Sequence, residues 1–256
     1  MPRTMTSTPS SWTPLRGPGL LLLLGLLPAA LPDEAHARDF GLSWYDCQDH
    51  GPSVPNLNFA CNLNYDPPIQ LTLWMSPFTE MPNVTVISTA IYLNAMDTVV
   101  PSWWQLAPGG CRAGLASVDL VTPPGPGCLD PWAGQATATL VVYSATCGPG
   151  IEGFRVTVQL PPGQSRALHM YQRYRLFRLA IPLDHTTGTD ACQGCASSVC
   201  FDVPYISIGN SDGLGWSTSG DQFASWQGAD CRNAYSECPI TSARTTTWGS
   251  IKTLYH

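Results

Sequence analysis

One lysine, Lys252, serves the whole 256-residue chain, and glutamate occurs only at Glu34, Glu80, Glu152 and Glu237. Both residues are strong helix formers, so their scarcity argues against long helices. Basic charge is short as well: twelve Lys and Arg face eighteen Asp and Glu, a net charge of −6. That balance leaves no electrostatic footprint for nucleic acid or an anionic membrane surface, and neither is expected as a partner. Past the N-terminal segment no apolar run approaches the roughly 20 residues of a bilayer-crossing helix, so the rest of the chain is not expected to insert into a membrane. Catalytic signatures are missing too. No G-x-S-x-G occurs, because Gly215-Trp-Ser217-Thr-Ser219-Gly220 places its second glycine one residue late. The absence of H-E-x-x-H excludes a zincin.

What is present begins with a leader. Arg3 and Arg16 precede the apolar run Leu20 to Leu27, and Ala35-His36-Ala37 forms a small-residue cleavage site. The pattern predicts a secretory signal peptide over residues 1–37, cleaved near Ala37, and export to the periplasm or the medium. No cysteine follows the run to carry a lipid, and the ending Ile251 to His256 offers no hydrophobic anchor. All ten cysteines lie beyond the leader, as in proteins made for an oxidising space.

Residues 38–256 are expected to form a single β-sandwich domain. Glycine (23) and proline (24) together exceed the average share of about 12%, which suits many turns between short strands. Ile69 to Trp74 alternates cleanly, with Ile69, Leu71 and Leu73 on one face. Further strands are expected over 83–93, 115–121, 136–146, 154–160, 199–208 and 223–226. About eight or nine short strands at this spacing predict an all-β, disulfide-stapled sandwich of jelly-roll type. Ser165 to Ile181 reads as a strand whose apolar phase flips, so that a β-bulge near Phe177 would restore one buried face. A helix through Met170, Tyr174, Phe177 and Ile181 is the alternative. One short helix is predicted at the C-terminus, capped by Thr246 or Thr247, with Trp248, Ile251 and Leu254 or Tyr255 on one stripe.

The cysteines stand at 47, 61, 111, 128, 147, 192, 195, 200, 231 and 238. Local pairs, Cys47 with Cys61 and Cys111 with Cys128, each close a loop of about 15 residues and are the expected bridges. Cys192, Cys195 and Cys200 crowd one loop, where disulfides are expected in an exported protein. Zinc with His185 as a fourth ligand and a redox C-x-x-C are the alternatives, the latter without the βαβ context that it needs.

Candidate ligand contacts are aromatic. Trp103 and Trp104 would point to opposite faces of a strand, leaving one ring free to stack on a sugar or an apolar partner. Trp216, in a glycine-rich segment, is a second such platform, and together these rings are expected to form a contact surface. Asp184, with Asp190 six residues on, and Asn210-Ser211-Asp212-Gly213 are oxygen-rich loops of the kind that hold calcium, although neither has EF-hand spacing. Asx turns explain both without metal, so calcium is a possibility and no cofactor is required. The histidines at 50, 169, 185 and 256 carry no catalytic signature, and the glutamates beside turn residues form no evident pair. Arg173 and Arg175 read as a solvated strand face.

The motifs Pro101-Ser-Trp103-Trp104-Gln105, Cys111-Arg112, Cys128-Leu-Asp-Pro-Trp132-Ala-Gly134-Gln135, Cys192-Gln-Gly-Cys195 and Trp226-Gln227-Gly228 occur together. With the ending Thr247-Trp248-Gly249 through Lys252 to Tyr255, they resemble a group of uncharacterised secreted bacterial proteins of about this length. That resemblance spans nearly the whole exported chain and carries over no functional residue. Cys147 and Cys231 are extra to its pattern, which implies that they pair with each other. The chain thus reads as a secreted, monomeric, non-catalytic binding or cell-envelope protein, contacting a glycan or an envelope protein. A secreted hydrolase using Asp residues and His185 is the alternative, and a passive matrix component a third.

Overall fold

The computed structural model describes residues 40–231, apart from 46, 48–55, 65–66, 122–126, 146–147, 149 and 213–214. The leader, the predicted C-terminal helix, Cys147 and Cys238 lie outside the described residues.

Among the described residues eleven strands follow one another: β1 (Phe40–Trp44), β2 (Asn56–Leu57), β3 (Ile69–Met75), β4 (Met81–Ala95), β5 (Ser117–Asp119), β6 (Thr137–Ser144), β7 (Ile151–Gln159), β8 (Arg166–Leu168), β9 (Tyr174–Ile181), β10 (Val199–Asn210) and β11 (Gly215–Trp226). A single 3₁₀ turn, Ser102–Trp104, lies between β4 and β5. The strands form two sheets, one ordered β1-β3-β9-β5 and one ordered β2-β11-β10-β4-β7-β6 with β8 beside β4. The chain is an all-β sandwich. The named strands all pair antiparallel except for the short β2–β11 contact, and an isolated parallel bridge joins Leu129 to Tyr174.

Each strand read from periodicity is present, and β1 and the two-residue β2 are strands that the reading missed. The ambiguous segment 165–181 is two strands rather than one, separated by a turn over 169–173. Opposite β3, Leu73 faces Phe177 but Trp74 faces Arg175, so Leu176 has no partner in register. That bulge sits one residue from the expected position and lets Tyr174, Leu176, Phe177, Leu179 and Ile181 all be buried. The Arg175 face is not solvated, since Arg175 is only 2% exposed. Its guanidinium reaches the Leu120 carbonyl, and the charged form is disfavoured by burial and then by neighbouring Arg178, with Asp130 and Asp119 acting in its favour.

Among the described residues four disulfides are formed, Cys47–Cys128, Cys61–Cys195, Cys111–Cys192 and Cys200–Cys231. Both expected local pairs are therefore wrong, as is a Cys147–Cys231 bridge. Cys192, Cys195 and Cys200 bond to three different distant partners, which removes the zinc and redox readings of that loop. The bridges span 31 to 134 residues, and closing loops of that length stabilises by about 3–5 kcal/mol each where strain is absent. Four such bonds belong to an oxidising compartment outside the cytoplasm. Among the described residues no helix is long and apolar enough to cross a membrane.

On the outer face of the smaller sheet the Trp74 ring lies over Gly41. A Cβ at Gly41 would meet that ring at 2.4 Å. The ring cannot retreat, because the Arg173 guanidinium stacks 4.4 Å from it and Cys47 and Cys128 pack against it. Gly41→Ala is therefore expected to lower stability by roughly 1–3 kcal/mol through overpacking. Chemical denaturation followed by tryptophan fluorescence checks this, and an unchanged midpoint would refute it.

Candidate functional site

The strand registers give the sandwich two distinct ends. At one, the β3–β4, β8–β9 and β10–β11 turns come together. At the other lie the connections from β4 to β5 and from β9 to β10, with the β6–β7 turn.

Trp103 and Trp104 belong to the second end and are completely buried. Because they sit in a 3₁₀ turn, their rings do not alternate across a sheet, and both enter the core. Trp103 N–H donates to the Gln193 carbonyl at 2.8 Å, and its indole N–H donates to Thr186 Oγ1 at 2.9 Å. Neither ring offers a face to a ligand, so the expectation of a Trp103 or Trp104 platform is corrected. Trp216 is half-buried at the opposite end of the sandwich. The three rings form no common surface.

The oxygen-rich loops also part company. Asp184 and Asp190 stand on the β9–β10 connection, whereas Asp212 begins the β10–β11 turn at the far end. Asp212 accepts a hydrogen bond from Asn83 Nδ2 at 3.4 Å, and the charge of Asp184 favours the buried Arg112 cation. No group of three His, Cys, Asp or Glu side chains placed to hold a metal occurs among the described residues, so a calcium site joining these three aspartates is not formed. His185 Nδ1 lies 3.1 Å from the backbone carbonyl of Asp190, not from its carboxylate.

Around Trp216 the structure builds an apolar notch. Met75, Pro77, Phe78, Thr79, Met81 and Ile208 complete its walls, enclosing about 180 Å³. Phe78 is 44% exposed and Tyr171 71% exposed, and their rings meet edge to face at 6.5 Å. Tyr171 is held out by a positive φ of 61° and by its N–H donating to the Pro77 carbonyl at 2.8 Å. The rim is polar: His169 Nδ1 lies 2.9 Å from Glu80 Oε2, and Met170 N–H donates to Glu80 Oε1 at 3.1 Å. Both side chains of the His169–Glu80 pair are about half exposed. Sequence reading found only Trp216 here, since Phe78 and Tyr171 sit in turns where no periodicity marks them.

A larger cleft, about 450 Å³, opens at the tryptophan end. Thr98 to Val100, Gln105, Ala107 to Gly110, Ser144, Ala145 and the start of β7 line it. Glu152, 3% exposed, is the single charged side chain in that lining. Its Oε1 accepts the Leu106 N–H at 2.7 Å, and the Ala107 amide also bonds to it. Burial pushes the carboxyl up to about 7, against the lowering effect of those two amides. In sequence Glu152 is an ordinary turn glutamate next to glycine, and nothing local distinguishes it.

No protein-family model matches the chain, and no curated protein is similar to it. Among solved structures it is similar to a cohesin module of a family 33 glycoside hydrolase from Clostridium perfringens. Identity there is 10%, coverage 73% of this chain and 93% of that one, and the TM-score 0.30. It is also similar to an uncharacterised Nocardia farcinica protein of immunoglobulin-like fold, at 14% identity, 62% and 87% coverage and a TM-score of 0.25. Neither bears on what this chain binds.

The raised carboxyl makes stability pH-dependent. Because the fold favours neutral Glu152, that contribution is complete below the ordinary glutamate range and is lost as pH rises through about 7. Glu152→Gln keeps an acceptor for the Leu106 amide and removes the charge. It is expected to flatten the pH dependence of Tm between pH 5 and 8 and to raise Tm at pH 8. Parallel melting profiles for the two proteins would show that Glu152 ionises without cost to the fold.

Proposed function

We propose that the chain is a secreted, non-catalytic binding protein that takes a glycan at the Trp216–Phe78–Tyr171 notch, after removal of residues 1–37. The observation that carries this reading is the cluster of outward aromatic rings over an apolar pocket, in a protein whose other large rings are mostly buried. Phe78 and Tyr171 cost hydration where they stand, and a partner that covers them recovers it. A sugar ring suits the arrangement. Its C–H face packs on an aromatic plane, while Glu80, His169, Thr79 and Ser217 at the edge can bond its hydroxyls. Small-molecule sites combine an apolar lining with a few placed polar groups in this way. A protein ligand would use the same rings with side chains in place of the sugar.

Incubation of the oxidised protein with a panel of insoluble polysaccharides is the test. One polysaccharide is expected to deplete it selectively from solution. Phe78→Ala and Tyr171→Ala each should weaken that binding roughly three- to tenfold, the worth of one aromatic contact, with the circular dichroism spectrum unchanged because both rings lie outside the core. Depletion that survives the double substitution would remove the notch from the binding surface, and no depletion by any polysaccharide would refute the glycan reading.

A further inference from the structure

At the opposite end of the molecule the Glu152 cleft has a chemistry that the aromatic notch does not share. We infer that this cleft is a second binding site, for a protonated primary amine carried on a short apolar stem.

A carboxylate almost wholly removed from water normally sits beside a cation or a metal. Glu152 has neither in the cleft lining. It is met by the amides of Leu106 and Ala107, which are dipoles rather than charges. Arg112, on the same connection, is engaged elsewhere: its guanidinium stacks 3.8 Å from the Trp103 ring and donates to the carbonyls of Trp103 and Pro182. A divalent metal would need further anionic or imidazole ligands, and the described residues supply no such group around Glu152. An organic cation needs only one counter-charge. Its ammonium hydrogens would be shared between Glu152 and the polar atoms of Gln105 and Ser144, while Val99, Val100, Pro108 and Ile151 would cover the stem.

The walls are preformed. A Cβ at Gly110 would strike the Gln105 carbonyl oxygen at 2.3 Å, and one at Gly150 the Asp97 carbonyl oxygen at 2.5 Å, so the backbones are already in closest approach. Cys111–Cys192 ties the wall to the β9–β10 connection. About 450 Å³ lies within the usual range of small-molecule sites. The ligand therefore meets a rigid slot with a single buried charge, which favours one cationic group over a polycation.

Calorimetry at pH 8 with n-butylammonium as the probe and n-butanol as its neutral isostere tests the assignment. Saturable butylammonium binding is expected, with butanol at least tenfold weaker and Glu152→Gln at least tenfold weaker for the amine, about the worth of one charge-assisted hydrogen bond. A second measurement needs no variant. In the unsubstituted protein labelled with carbon-13 at glutamate carboxyls, saturating amine should lower the Glu152 titration midpoint by about one pH unit, as linkage requires of a tenfold preference for the ionised form. Butanol binding as tightly as butylammonium, an unmoved Glu152 midpoint, or no saturable binding would each overturn the site. Isopentylammonium and Nα-acetyl-lysine methylamide then separate a free alkylamine from a peptide lysine as the source of such an amine, and tighter binding of either supports it. Retention on polysaccharide through the notch is unaffected by these outcomes, so the two sites stand or fall separately.

Discussion

The indole of Trp103 lies between a cation and another indole, with the Arg112 guanidinium 3.8 Å from one side and Trp226 stacked at 5.7 Å and 20°. Trp104 meets Trp226 edge-on at 5.3 Å, and Phe201 at 5.5 Å, while Trp44 crosses from β1 to touch both Trp226 and Phe201. This cluster joins the two sheets at one end. Large rings in mutual edge and stacked contact stabilise beyond their buried area, and a guanidinium keeps its charge in such a place by spreading it over a ring and two carbonyls. Burial lowers the Arg112 pKa to about 10, which still leaves it charged at neutral pH.

Much of the tryptophan end depends on that packing. Seating Trp103 and Trp104 places the next backbone amides, Leu106 and Ala107, against Glu152, and so forms one wall of the cleft. Trp103 N–H and Ser102 Oγ both bind the Gln193 carbonyl, which registers the C-x-x-C loop against the 3₁₀ turn. The Trp226 indole N–H donates to the Cys195 carbonyl at 2.6 Å. Three of the four described disulfides, all but Cys47–Cys128, cross-link this same end, where long connections would otherwise cost most entropy to order. The other end is closed by short turns, and there aromatic rings can be left outside without loosening the core. Rigidity at one end and exposed rings at the other are two consequences of a single distribution of loop lengths.

Most of the β-architecture was legible in the amino-acid pattern, because a half-buried strand must alternate and a bulge must show as a phase flip. Ile69 to Trp74 and the shift beside Phe177 are examples. Cysteine pairing was not legible. Spacing along the chain suggested Cys47–Cys61 and Cys111–Cys128, but a sandwich brings together residues 81 to 134 positions apart as readily as near neighbours. The adjacent tryptophans misled for a related reason. Two neighbouring residues split between faces only in a strand, and the 3₁₀ turn at Ser102–Trp104 sends both rings inward. Glu152 was invisible because burial of a carboxylate is decided by a loop almost fifty residues away.

By itself the sequence determined class and compartment: periodicity of two, scarce helix formers and ten cysteines lead to an all-β, oxidised fold, and among the described residues no helix is long and apolar enough to cross a membrane. These are properties of local pattern and composition, which need no partner in space. Tertiary structure alone decided which cysteines bond, which tryptophans are core, and where a ligand could sit. Each of those depends on distances between residues far apart in the chain, and the energies that set them (ring stacking, desolvation of a carboxylate, closure of a loop) exist only once the sheets have met.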